Sequence, residues 1–96
     1  MSTLWVREYT SLARKGSAQA VQEPGTDQTA VTYSTSAQSA AFAAGTTVIG
    51  IISDAAFHYV VAANPTATTN ALKVPADTLV YVGVTAGQKI AAIAAA

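Results

Sequence analysis

Between Asp27 and Lys73 the chain carries a single charged side chain, Asp54. Over the whole sequence five Lys and Arg balance five Asp and Glu, so charged residues make up 10% of the chain. Soluble domains carry roughly 25%, and part of that charge serves to keep copies apart. A domain of this length buries about two-thirds of its unfolded surface at best, so much of the uncharged stretch must face outward on an isolated copy. The expectation is a surface that other copies, or a larger assembly, will cover.

The apolar content, 51%, overstates the core because much of it is alanine. The bulky residues suffice for one modest core, and association is a usual remedy for a scaffold this small. The sequence therefore reads as one domain, 1–96. There is no cysteine, hence no disulfide and no thiolate chemistry. Net charge is zero with no basic run, which argues against a nucleic-acid partner. No apolar run approaches the ~20 residues of a membrane-spanning helix, and the opening Met-Ser-Thr-Leu-Trp-Val-Arg-Glu lacks the basic and apolar regions of a secretion signal.

The second half reads as short strands separated by turns. Segment 46–52 (TTVIGII) is β-branched and almost wholly apolar, as in a strand buried on both faces. After the turn pair Ser53-Asp54 comes 57–62 (FHYVVA), alternating Phe57, Tyr59 and Val61 with His58, Val60 and Ala62. Asn64-Pro65 breaks the ladder. Segments 72–74, 79–84 and 89–93 follow, set off by Pro75-Ala76-Asp77 and Ala86-Gly87-Gln88. In the first half, 4–9 (LWVREY) sets Leu4, Val6 and Glu8 opposite Trp5, Arg7 and Tyr9, and 28–33 alternates again. Segment 11–16 is polar and ends on a glycine, and 18–22 reads as a short strand before the turn Glu23-Pro24-Gly25. Segment 36–45 (SAQSAAFAAG) is rich in helix formers but spans about two turns between strands, too short for propensity to decide; it reads as extended. The pattern predicts an all-β fold, a small antiparallel β-sandwich of about seven or eight short strands, with residues 1–10 as an interface arm.

Chemistry is thinly represented. His58 is the sole histidine, and a zinc site wants three or four ligands, so a structural or interface role is expected and no metal. Glu23, Asp27, Asp54 and Asp77 fall in predicted turns, where acids hold backbone geometry. Glu8 beside Arg7 suggests a rim ion pair. There is no Gly-x-Ser-x-Gly elbow and no glycine-rich phosphate loop. No catalytic residue and no cofactor site is assigned, and the chain is expected not to be an enzyme. Trp5, Arg7 and Tyr9 are of the residue types that dominate interface energetics, although Trp5 could equally fill the core. The interface expectation covers Leu4, Trp5, Val6, Arg7, Glu8 and Tyr9, with Phe57, His58 and Tyr59. A receptor-binding pocket, were there one, would have to come from Phe57, His58, Tyr59 and Asn64.

The opening Leu4-Trp5-Val6-Arg7-Glu8-Tyr9, then Ser39-Ala40-Ala41-Phe42, Thr46-Thr47-Val48-Ile49, Ser53-Asp54 and Asn64-Pro65-Thr66-Ala67-Thr68 resemble a family of small proteins from tailed-bacteriophage and prophage genomes. The ending, Tyr81-Val82-Gly83-Val84 and Gly87-Gln88-Lys89-Ile90-Ala91, fits the same family. Such genes tend to lie among virion structural genes near the capsid. The resemblance covers most of the chain, in turn and strand patterns without a catalytic signature. It implies a head decoration or cement protein on the outer capsid surface, assembled in the host cytoplasm. Its partners would be the major capsid protein and further copies of itself, as trimer or dimer. Another virion part, such as a head fibre base, a tail component or a host-attachment module, is the alternative, and a small hydrolase the weakest reading. The family carries arginines in the strand equivalent to 46–52; here that strand is uncharged, so a basic stripe has no footing.

Overall fold

A computed structural model describes residues 2–10 and 25–95, and residues 12–15 and 18–21 as main chain. The predicted stop at Gly16 and turn at Glu23-Pro24 lie outside the described residues. Among the described residues there is no helix, and eleven strands form: β1 (Ser2–Tyr9), β2 (Leu12–Lys15), β3 (Ala18–Val21), β4 (Thr26–Asp27), β5 (Val31–Tyr33), β6 (Ala37–Gln38), β7 (Val48–Ser53), β8 (Phe57–Ala62), β9 (Leu72–Val74), β10 (Val80–Gly83) and β11 (Lys89–Ala94).

The fold is all-β, a sandwich of a five-stranded and a four-stranded antiparallel sheet. The first runs β10-β7-β1-β4, with β5 on the same edge of β1 as β4; the second runs β6-β11-β8-β9. The strand total exceeds the expected seven or eight because two-residue strands form at β4 and β6, outside the predicted strand 28–33 of which β5 is the end, and because β2 and β3 pair with each other as a separate hairpin. Residues 36–43 form no helix, with β6 at one end and buried Phe42 as anchor, and a turn at Ala44-Gly45 follows.

The core lies where the inward alternations meet. Leu4 and Val6 of β1, Ile49 and Ile51 of β7 and Tyr33 of β5 face Phe57 of β8, Val74 of β9, and Ile90 and Ala92 of β11. Each large side chain so buried contributes about 1.5–3 kcal/mol of transfer free energy. The Tyr33 hydroxyl hydrogen-bonds the Ser53 hydroxyl, which also donates to the Thr3 carbonyl at 2.8 Å, so the polar atoms in the core are paired. Gly87, at φ 88°, occupies the third position of a turn closed by the Gln88 N–H on the Thr85 carbonyl, a position that asks for glycine.

Leu4 to Tyr9 do not form a free arm. They occupy an interior strand, paired along its length with β7 (Leu4↔Ser53 to Tyr9↔Val48) and on the other edge with β4 and β5. β2–β3, whose register runs from Leu12↔Val21 to Lys15↔Ala18, joins neither sheet.

Candidate functional site: an uncovered aromatic face

Alternation along β1 sends Leu4, Val6 and Glu8 into the sandwich and Trp5, Arg7 and Tyr9 to the outer face of the first sheet. Register fills in the rows of that face. Trp5 pairs Ile52, and Leu79 belongs to the same row; Arg7 pairs Gly50, which pairs Tyr81; Tyr9 pairs Val48, which pairs Gly83. The result is a groove of about 490 Å³ lined by Trp5, Arg7, Tyr9, Asp27, Ile52, Leu79 and Tyr81 among others. Trp5 (49%), Tyr81 (51%) and Leu79 (52%) are half exposed, whereas large apolar side chains on an isolated domain usually occur singly.

Two glycines shape the groove. Gly50 sits in mid-strand at its floor, and a Cβ there would lie 3.1 Å from Tyr81 Cε1. Tyr81 therefore leans over bare backbone and meets Tyr9 edge-on, with ring centroids 6.2 Å apart. A Cβ on Gly25 would lie 2.7 Å from Arg7 Cγ and Cδ and 2.8 Å from Tyr9 Cε1. Tyr9 is thus seated between two backbone surfaces and buried, although it lies on the outer side of the sheet.

The polar groups of this region are arranged differently from the expected Arg7–Glu8 pair. Arg7 Nε donates to Asp27 Oδ1 at 2.6 Å, and that partner holds the Asp27 carboxyl below its ordinary value. Glu8 points the other way and is buried. It accepts from the Ala43 N–H at 2.8 Å, the Thr46 hydroxyl at 2.7 Å and the Gln28 amide at 2.9 Å. Burial alone would raise the Glu8 carboxyl, but the Ala43 N–H, the Gln28 amide and the Thr46 hydroxyl together hold it below its ordinary value. Glu8 staples the 43–46 turn to β1 and is not a rim residue.

The other expected interface residues are scattered. Leu4, Val6 and Phe57 are core and present nothing to a partner. His58 and Tyr59 lie on β8 of the second sheet, half buried, away from Trp5. His58 Nδ1 is 2.8 Å from the Ala71 carbonyl, which can only accept, so that nitrogen carries the proton. Asn64 Oδ1 accepts from the Gln38 amide. Phe57, His58, Tyr59 and Asn64 therefore do not line a shared pocket. Sequence reading missed Ile52, Leu79 and Tyr81 as parts of the face, although their strand parity, once β7 and β10 are known to flank β1, would have placed them there.

Among the described residues no three of His, Asp and Glu converge as a metal site would require. No protein-family model matches the chain, and no curated protein or solved structure is similar to it.

Proposed function

We propose that the chain is a virion structural protein, a decoration or cement subunit that binds the outer surface of a tailed-phage head and helps to hold neighbouring capsomers together. The observation that carries this reading is the uncovered Trp5–Ile52–Leu79–Tyr81 face on a domain with so little charge. Trp, Tyr and Arg in a half-desolvated groove are the groups around which binding energy concentrates. The resemblance of the sequence to small phage proteins supplies the virion context. The mechanism is additive: many copies each bury a modest contact, and the sum braces the shell without covalent links. The face serves as the surface through which a subunit is held in that array.

The test is co-sedimentation with expanded heads of the same phage, comparing the unmodified chain with Trp5→Ser/Tyr81→Ser. Saturable binding that weakens in the variant supports the reading; no binding by the unmodified chain overturns it. A host-attachment module is the second reading, favoured by one observation. The groove combines aromatic rings with the Arg7–Asp27 pair and with Gln28, whose buried Oε1 has no donor among the described residues. Saturable binding to host cells in place of heads would select it.

A further inference from the structure

The strand edges of the two sheets are finished unequally. In the second sheet the edge strand β9 is three residues long, carries Lys73 at its centre and runs into Pro75. The other edge strand, β6, is two residues long. In the first sheet β4 and β5 share one edge as pieces of two and three residues, and Asp27 stands on β4. Short strands, charge and proline are the usual guards against one edge pairing with another. The remaining edge, β10, has none of them. It is four residues long, and from Thr78 to Ala86 the chain carries neither a charge nor a proline. Among the described residues no strand pairs with its outer side.

The ladder fixes which main-chain groups that edge presents. The Asp77 N–H donates to the Ser53 carbonyl at 2.8 Å and the Val84 N–H to the Thr47 carbonyl at 2.9 Å. Both carbonyls belong to odd-numbered positions, so by alternation Ile49 and Ile51 also turn their main-chain groups to β10. Their partners Val82 and Val80 turn theirs to β7. Tyr81 and Gly83 therefore aim their N–H and C=O groups away from the sheet. The side chains of Val80, Val82 and Val84 pack inward on the core, which leaves Tyr81 and Gly83 on the outer face.

A second copy of this edge fits it. Antiparallel pairing about a two-fold axis at Val82 sets Tyr81 of each copy opposite Gly83 of the other. Tyr81 already leans over bare backbone at Gly50, and this register gives it glycine on its free side as well. The space beside Gly83 is open, since a Cβ there would meet only the Thr47 carbonyl, at 4.0 Å. An edge that pairs with its own copy brings like side chains together. On β9 that would crowd Lys73 against Lys73, whereas β10 has no charge to oppose it.

We propose that β10 strands of two copies pair antiparallel about Val82, joining their five-stranded sheets into one continuous sheet. Tyr81 and Gly83 of each copy then exchange main-chain hydrogen bonds with Gly83 and Tyr81 of the other. The contact is isologous and closes as a dimer. Its axis stands perpendicular to the joined sheet, so the two Trp5 grooves face the same way. The inference goes beyond the decoration reading: it uses the strand edge rather than the groove and needs no capsid.

The chain has no cysteine, so Val82→Cys places a single thiol where the axis passes. Cα atoms of a non-hydrogen-bonded antiparallel pair lie about 4.5 Å apart, within disulfide reach. Oxidised Val82→Cys should run as a cross-linked dimer, and Lys73→Cys on the guarded edge should stay monomeric. Sedimentation velocity without heads gives a second readout on full-length protein. The unmodified chain should dimerise with rising concentration, and Gly83→Lys and Gly83→Glu should each weaken this about tenfold or more. An equal mixture of the two should recover as a heterodimer, because diagonal positions ~7–8 Å apart are within reach of long side chains. A monomeric unmodified chain, a thiol at 82 that does not cross-link, or glycine variants that dimerise unchanged overturns the proposal. Val82→Cys exchanges side chains of similar size, so the cross-linking result stands even if the Gly83 variants fail to fold. Head binding is scored separately. A dimer that never co-sediments with heads overturns the decoration reading alone, and a monomer that does so overturns the edge pairing alone.

Discussion

The two sheets of the sandwich finish their outer faces in opposite ways. Over the second sheet the chain supplies its own cover. The 63–71 excursion is tied down where Gln38 donates to the Pro65 carbonyl at 2.7 Å, where the Ala67 N–H donates to the Ser36 hydroxyl, and where His58 meets the Ala71 carbonyl. Pro65 and Ala67 are buried, and Ala91, which lies on the outer side of β11, is wholly enclosed. Over the first sheet no described segment does the same, and Trp5, Leu79 and Tyr81 remain half exposed. What separates the two faces is whether a described segment of the same chain covers them. The face left bare, with the larger aromatics on it, is the one on which the proposed function rests.

Substitutions on the two faces should therefore fail in different ways. Ala91→Lys forces a charge under the 63–71 cover and should cost about 3–5 kcal/mol, seen as a lower denaturant midpoint; a cost under about 1 kcal/mol would show that this cover is easily lifted. Next in size is Glu8→Ala, which belongs to neither face but to the seam between them. It leaves the Thr46 hydroxyl and the Ala43 N–H without their acceptor and should cost about 2–4 kcal/mol. The same group sets an acid limit. Its folded-state value is depressed, so its contribution is present above the ordinary carboxyl range and disappears as pH falls through the folded value. Unfolding free energy measured against pH should drop less steeply on the acid side for Glu8→Gln than for the unmodified chain.

Ser36→Ala removes the hydroxyl that accepts from the Ala67 N–H and should cost about 1 kcal/mol, with faster amide exchange confined to 63–71. Smallest is Trp5→Ser on the bare face. It should change monomer stability by less than about 1 kcal/mol while weakening head binding. A Trp5→Ser variant that unfolds like a core mutant would mean that the face is structural.

Much of this arrangement is legible in the sequence. The alternations in β1 and β8 assigned side chains to opposite faces correctly because a pleated strand has a period of two. The turns at Pro75-Ala76-Asp77 and Ala86-Gly87-Gln88 bounded β10 to within a residue or two, and Gly87 does adopt the positive φ that makes such a turn. What alternation does not carry is which face is inward, and so the interface expectation includes Phe57, which is core. Nor does it carry partners distant in sequence. The expectation of a free arm at Leu4–Tyr9 failed because the strands on either side of it come from residues 26–33 and 48–53. Glu8 takes its hydrogen bonds not from adjacent Arg7 but from Gln28, Ala43 and Thr46, which lie 20, 35 and 38 residues away. Of the β2–β3 hairpin the second strand is legible, as 18–22, whereas β2 is not: Leu-Ala-Arg-Lys has no β-branched residue.

The sole tryptophan of the chain stands on the bare face. Half exposed, its indole should shift to the blue when something settles over it. Contact at this one surface can therefore be followed by light, in real time and without a label. Because no second indole contributes background, the amplitude of that change counts the fraction of faces occupied.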